Sequence, residues 1–125
     1  MSLRASGLPG IPGWFTEEQQ TEWKTLVDGV HAKGAVFFAQ LWHQGRNTHS
    51  LAIGQQPESA SDVPIDGSLY WSGMPVVPFE PPRAMSLRDI EETQSDFVKA
   101  AMAARQAGCD GVELHGGNGW VIDQS

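Results

Sequence analysis

The fold of this 125-residue chain is decided by residues 34–42, GAVFFAQLW, and residues 111–120, GVELHGGNGW. Each stretch holds a short apolar run that follows a helix-like segment and ends in polar and aromatic residues. Near-continuous apolar strands are typical of parallel sheets covered on both faces, and strands joined through a helix run parallel. The sequence therefore predicts an α/β fold with parallel strands at residues 35–41 and 111–115.

Helical periodicity precedes both strands. In the first helix apolar residues recur at i, i+3, i+4 and i+7 from Trp23, which places them on one face. A capping box at Thr16 predicts its start, and Gly34 its end. The second helix has the same signals, with a capping box at Ser86 and a stop at Gly108. The predicted order is helix, strand, connection, helix, strand.

The connection between the first strand and the second helix covers 44 residues, 42–85, and holds six of the eight prolines. A structureless stretch of that length is unusual inside a compact domain and more often forms a functional excursion. Residues 68–79 are compatible with a short hairpin. We therefore expect a long excursion loop between the two β/α units.

Composition narrows the functional classes. The formal net charge of −7 disfavours binding to nucleic acid or to an anionic membrane surface, because such binding relies on cationic side chains. The longest apolar run, residues 35–39, is too short to cross a bilayer, and the first ten residues lack the apolar core of a signal peptide. A single cysteine, Cys109, makes a reducing cytoplasm the expected compartment. We predict a cytoplasmic protein that handles small molecules.

Polar side chains mark the carboxyl end of the first strand. Gln40 and Trp42 share one face of a regular strand, and ligands of α/β sheets and barrels bind at this end. A glutamine on an apolar strand needs a hydrogen-bond partner. Neighbouring backbone is an equally good candidate for that partner, so the motif alone leaves both interpretations open.

The second strand ends in a glycine-rich turn. Glu113 and His115 share a strand face, and the glycines that follow let the backbone turn sharply. His115 and Asn118 can both donate to one carbonyl oxygen and so polarise it. A purely structural turn is as good an explanation until the two strand ends are considered together.

A metal site is the weakest of the candidates. His43, His49 and Cys109 have no ligand spacing on a defined element. Cys109 precedes a buried strand and is expected to pack as a small apolar residue. We therefore expect no metal.

Residues 38–46, FAQLWHQGR, and residues 111–124, GVELHGGNGWVIDQ, closely resemble the Old Yellow Enzyme family. These proteins are flavin-dependent ene-reductases on a (β/α)8 TIM barrel, so the resemblance implies that residues 1–125 form one segment of an incomplete barrel. It implies FMN as cofactor and NADPH or NADH as reductant, with hydride passing through the flavin to an activated alkene such as an α,β-unsaturated carbonyl.

The same resemblance assigns expected roles to five residues. Gln40 would hydrogen-bond the flavin ring, and Trp42 would line the substrate pocket. His115 and Asn118 would hold the carbonyl oxygen of the substrate. Trp120 stands where the family has a proton-donating tyrosine, and an indole N–H is too weak an acid for that role.

The chain departs from the family pattern in two further ways. Ser125 stands where phenylalanine is common, and a complete barrel needs about 250 residues. A catalytically inactive truncated remnant is therefore the alternative. It would act as a scaffold or interaction fragment and self-associate through open strand edges. A different barrel enzyme that shares only the β/α architecture is a third interpretation.

Overall fold

The computed structural model describes residues 2–71 and 73–125. Its elements, in chain order, are α1 Leu3–Ser6, α2 Glu17–His31, β1 Phe38–Leu41, α3 Ser50–Ile53, β2 Glu58–Ser59, β3 Ser68–Leu69, β4 Val77–Pro78, β5 Arg83–Ala84, α4 Leu87–Gln106 and β6 Gly111–Leu114.

The two strands predicted from the apolar runs are neighbours. β1 pairs with β6 in parallel, and Gln40 lies opposite Glu113. One face of β1 is buried, with Ala39 and Leu41 exposing 3% and 1% of their surface. The core on that face is completed largely by small residues of α4 and its C-terminus: Ala100, Ala103, Ala104 and Ala107. Small side chains let the helix approach the sheet closely, which fixes both strand ends relative to α4.

Both predicted helices begin at their capping boxes. The Thr16 hydroxyl accepts from the Gln19 backbone N–H, and the Gln19 side chain accepts from the Thr16 N–H. Ser86 and Asp89 form the same reciprocal pair at α4. Each helix is followed within three residues by a glycine with positive φ, at Gly34 (75°) or Gly108 (94°). These predicted starts and stops are confirmed.

The strands are shorter than predicted. β1 begins at Phe38, because residues 35–37 lie before the point where β6 starts and so have no strand to pair with. Asp110 closes this end of the ladder: its carboxylate accepts from the Phe37 N–H at 2.7 Å, and its own N–H donates to the Phe37 carbonyl. β6 ends at Leu114, and one further bond, from the His115 N–H to the Leu41 carbonyl, leads into the turn.

The predicted excursion between β1 and α4 contains several short elements. The predicted hairpin is confirmed, since β3 and β4 pair in antiparallel fashion within residues 68–79. A second pair, β2 with β5, was not predicted. Arg83 secures it, because its guanidinium lies 2.7 Å from Glu58 and 2.8 Å from Asp89. The Arg83 contact and the Ser86 hydrogen bonds hold the pKa of Asp89 far below its ordinary value.

The second face of β1 carries the candidate site. Phe38 on this face is 56% exposed, and Gln40 beside it is also exposed. None of the helices described within residues 2–71 and 73–125 is long and apolar enough to span a membrane.

Candidate functional site

We call the end of the β1–β6 pair where both strands begin the floor, and the end where both strands finish the rim. The side chains of the exposed face lie in order from the floor to the rim. At the floor the Phe38 ring lies over Gly111, where an added Cβ would stand 2.4 Å from the Phe38 Cε1. One step further along, the Gln40 amide Nε2 donates to the Glu113 carboxylate at 3.1 Å. Glycine at position 111 therefore lets the Phe38 ring lie directly on the β6 backbone.

Three aromatic rings form a cluster at the rim. The Trp42 and Trp120 ring centroids are 4.1 Å apart with an interplanar angle of 24°. Trp120 also contacts the His115 ring at a centroid distance of 4.0 Å. Trp120 thus lies against both strand ends and holds Trp42 and His115 in one cluster.

His115 and Asn118 form a pair of donors. The His115 Nδ1 accepts from the Gly117 N–H at 3.2 Å, so the proton of the neutral ring lies on Nε2. The Asn118 Nδ2 is 3.4 Å from that Nε2, and two N–H donors so close cannot bond to each other. Asn118 has a φ of 61°, a left-handed conformation that asparagine tolerates and that often marks a functional site.

Gln124 joins the two strand-end loops, and no local signal in the sequence predicts this role. Its Oε1 accepts from the Arg46 N–H at 3.1 Å and from the Ser59 hydroxyl at 2.8 Å. Its Nε2 donates to the carbonyls of Gln44, at 3.0 Å, and Gly119, at 2.6 Å. One amide therefore links the loop after β1, the loop after β6 and strand β2.

His43, His49 and Cys109, the three candidate metal ligands, make hydrogen bonds or core contacts instead. His43 is 2% exposed, and its Nδ1 accepts from the Gly45 N–H at 2.9 Å. His49 caps α3 through the Leu51 N–H, and Cys109 packs against the core, where burial raises the pKa of its thiol. Among the residues that the structure describes, no three His, Cys, Asp or Glu are grouped to hold a metal ion.

Burial also sets the ionisation of His43. Removal from water, followed by the positive charge of Arg4, lowers the pKa of the ring from 6.5 to about 4. His43 is therefore a neutral structural ring at pH 7. Its backbone carbonyl accepts from the Val121 N–H at 2.9 Å, which ties the loop after β6 to the end of β1.

An open apolar groove of about 450 Å³ lies on the helix side of β6. Its lining includes Leu114, Phe97, Ile122 and Ser125. Phenylalanine, which the family resemblance leads us to expect at position 125, would carry its ring into this groove.

Comparison with known proteins shows which family this chain resembles. The profile of the NADH:flavin oxidoreductase / NADH oxidase family matches residues 1–125. 12-Oxophytodienoate reductase 2 of Arabidopsis thaliana is 43% identical over 99% of this chain and 34% of its own length. A protein of Epichloe festucae var. lolii named probable inactive reductase easA is 44% identical over 99% of this chain and 31% of its own length.

Solved structures show the same similarity. The old yellow enzyme homologue from Zymomonas mobilis superposes with a TM-score of 0.91 at 36% identity, covering 98% of this chain and 34% of that protein. Morphinone reductase superposes with a TM-score of 0.88 at 35% identity, covering 96% and 34%. These similarities confirm the resemblance and the predicted partial TIM barrel, and the chain spans about a third of the length of these relatives.

Proposed function

Since the chain belongs to the NADH:flavin oxidoreductase / NADH oxidase family, we propose that it contributes to an FMN-dependent oxidoreductase of the ene-reductase type. The electron source would be NADPH or NADH, and the acceptor an activated alkene such as an α,β-unsaturated carbonyl. The observation that carries this proposal is the donor pair of His115 and Asn118, 3.4 Å apart, in the turn that follows β6, the strand paired with the Gln40 strand.

The exposed strand face has the chemistry that a flavin ring needs. Gln40 supplies a polar amide, and Phe38 on the same face and Trp42 just after the strand supply aromatic surface. A flat ring with a polar edge suits such a combination. FMN, when bound, would supply the hydride chemistry between the nicotinamide and the alkene, while the protein supplies position and polarity.

The donor pair acts on the carbonyl oxygen of the substrate. The Gly117 N–H holds the His115 ring through its Nδ1, and the Asn118 amide Nδ2 lies 3.4 Å from the His115 Nε2. Two fixed donors stabilise negative charge that develops on this oxygen, and removing one donor typically costs about 2.7–4 kcal/mol of barrier. Trp42, packed on Trp120, forms a wall of the pocket that limits which alkenes fit.

The source of the proton differs from the family pattern. Trp120 occupies the expected tyrosine position, and its indole can donate a hydrogen bond but is far too weak an acid to protonate carbon. Water or another acid must supply this proton. The acidic balance of the chain and its single cysteine favour a small-molecule partner in the cytoplasm.

The test is flavin binding followed by turnover. FMN is titrated with the purified chain and its fluorescence followed. NADPH or NADH is then added anaerobically in separate arms to bleach the flavin, and 2-cyclohexenone is added last. We expect stoichiometric quenching, bleaching and reoxidation by the enone. His115→Ala should retain FMN but slow reoxidation about 100-fold or more, whereas His31→Ala, away from the rim, should behave as the parent chain.

A catalytically inactive fragment is the second candidate, and Trp120 is the observation that favours it. A relative named probable inactive reductase matches this chain at 44% identity, and the outer edges of the β1–β6 pair lack a further strand in the described residues. Such edges favour association. This scaffold function would be supported if the chain neither bound FMN nor turned over an enone, and if it self-associated in a concentration-dependent way in sedimentation.

A further inference from the structure

We infer that Glu113 is a positioning residue that fixes the orientation of the Gln40 side-chain amide for its flavin contact. This inference rests on the proposed function, since it concerns the same cofactor. The observation is the hydrogen bond from the Gln40 Nε2 to the Glu113 Oε1, 3.1 Å long, between residues that are register partners on neighbouring strands.

The chemistry of the pair allows only one orientation of the amide. An ionised carboxylate accepts hydrogen bonds and donates none, whereas the amide of glutamine has a donating and an accepting end. Rotation of the amide by 180° would place the Gln40 Oε1 against the Glu113 carboxylate, and two acceptors in contact repel each other. Glu113 therefore selects the orientation in which Nε2 faces it.

Aromatic groups flank this pair along the strands. Phe38 covers Gly111 on the floor side. On the rim side, Trp42 and His115 are held by their shared contact with Trp120. Gln40 is thus placed between two aromatic groups, and its hydrogen bond to Glu113 determines which end of the amide is engaged.

The selected orientation leaves the Gln40 Oε1 and the second Nε2–H unused by Glu113 and available to a ligand. This adjacent acceptor and donor complement the O=C–N–H groups on the pyrimidine edge of an isoalloxazine ring. Without Glu113, binding would have to order a mobile side chain, and ordering one such side chain weakens affinity by about 2- to 12-fold. We expect that range for Glu113→Ala.

A double-mutant cycle on FMN affinity distinguishes positioning from general structural support. Glu113→Ala should raise the FMN dissociation constant 2- to 12-fold in the parent chain and leave it unchanged in a Gln40→Ala background. Glu91→Ala, which removes an exposed carboxylate of α4, is the matched control and should have no effect. An equal loss in both backgrounds would overturn the inference, because Glu113 would then act without Gln40.

A measurement without flavin separates this inference from the proposed function. In ¹⁵N-labelled protein, the two side-chain amide protons of Gln40 should differ more in chemical shift in the parent chain than in Glu113→Ala, because only one of them bonds to Glu113. An unchanged separation would overturn the inference even if FMN binds. If the shift difference depends on Glu113 but FMN does not bind, the orientation stands and the proposed function fails.

Discussion

His43→Asn should remove a large part of the acid sensitivity of the fold. The His43 ring is almost fully buried, and its Nδ1 accepts from the Gly45 N–H. Asparagine places an accepting oxygen near the same position but carries no group that titrates between pH 4 and 8. The substitution therefore replaces the titratable ring and conserves an acceptor.

The magnitude follows from the pKa of His43, which burial and Arg4 lower to about 4 in the folded chain from 6.5. The unfolded chain binds a proton as the pH falls through about 6.5, whereas the folded chain does not until about pH 4. The contribution of the neutral His43 ring to the free energy of unfolding is therefore fully present above pH 6.5 and is lost progressively between pH 6.5 and 4. The proton linkage gives a loss of about 2.5 kcal/mol between pH 7.5 and 4.5.

Urea unfolding at pH 7.5, 6.0, 5.0 and 4.5 measures this loss. Because carboxylates and the other three histidines titrate in both proteins, the informative quantity is the difference in unfolding free energy between the parent chain and His43→Asn. This difference should shift by about 2.5 kcal/mol in favour of the variant as the pH falls from 7.5 to 4.5. Parallel pH profiles would refute the assignment of His43 as a buried neutral ring.

Three further predictions concern the rim and the groove. Trp120→Tyr should accelerate flavin reoxidation by an enone about 100-fold or more, because a phenol can act as a general acid. The measurement is stopped-flow kinetics on a full-length protein that contains this segment. An unchanged rate would show that the proton comes from elsewhere. Gln124→Ala should lower the free energy of unfolding by roughly 2–4 kcal/mol, because four groups lose their hydrogen bonds to the Gln124 amide. A loss below about 0.5 kcal/mol in urea unfolding would contradict the linking role of Gln124. Ser125→Phe should fill the apolar groove, which should raise the melting temperature and increase the free energy of unfolding by about 1–2 kcal/mol. Ser125→Ala is the control and should have almost no effect. Equal behaviour of the two variants would mean that the groove does not accept the ring.

The helix ends and the strand faces were predicted correctly, because both depend on residues that are close together in the sequence. The capping boxes at Thr16 and Ser86 use residues three positions apart, and Gly34 and Gly108 take up the positive φ that follows each helix. The alternation along β1 placed Gln40 on the face opposite the buried Ala39 and Leu41. These features need no knowledge of the partner strand.

Long-range pairing accounts for what the sequence left open. The contact between Gln40 and Glu113 depends on strand register, and the two residues are 73 positions apart. Gln124 bonds to groups between 5 and 80 positions away, so no short motif reveals it as a link between loops. The β2–β5 pair depends in the same way on the distant ion pair of Glu58 with Arg83.

A crystal structure with FMN and a cyclic enone tests the central claim most directly. We expect the Gln40 amide within hydrogen-bonding distance of the flavin ring, and the enone oxygen within about 3.2 Å of both His115 Nε2 and Asn118 Nδ2. A flavin bound away from the β1–β6 rim, or an enone oxygen that contacts neither donor, would contradict the account.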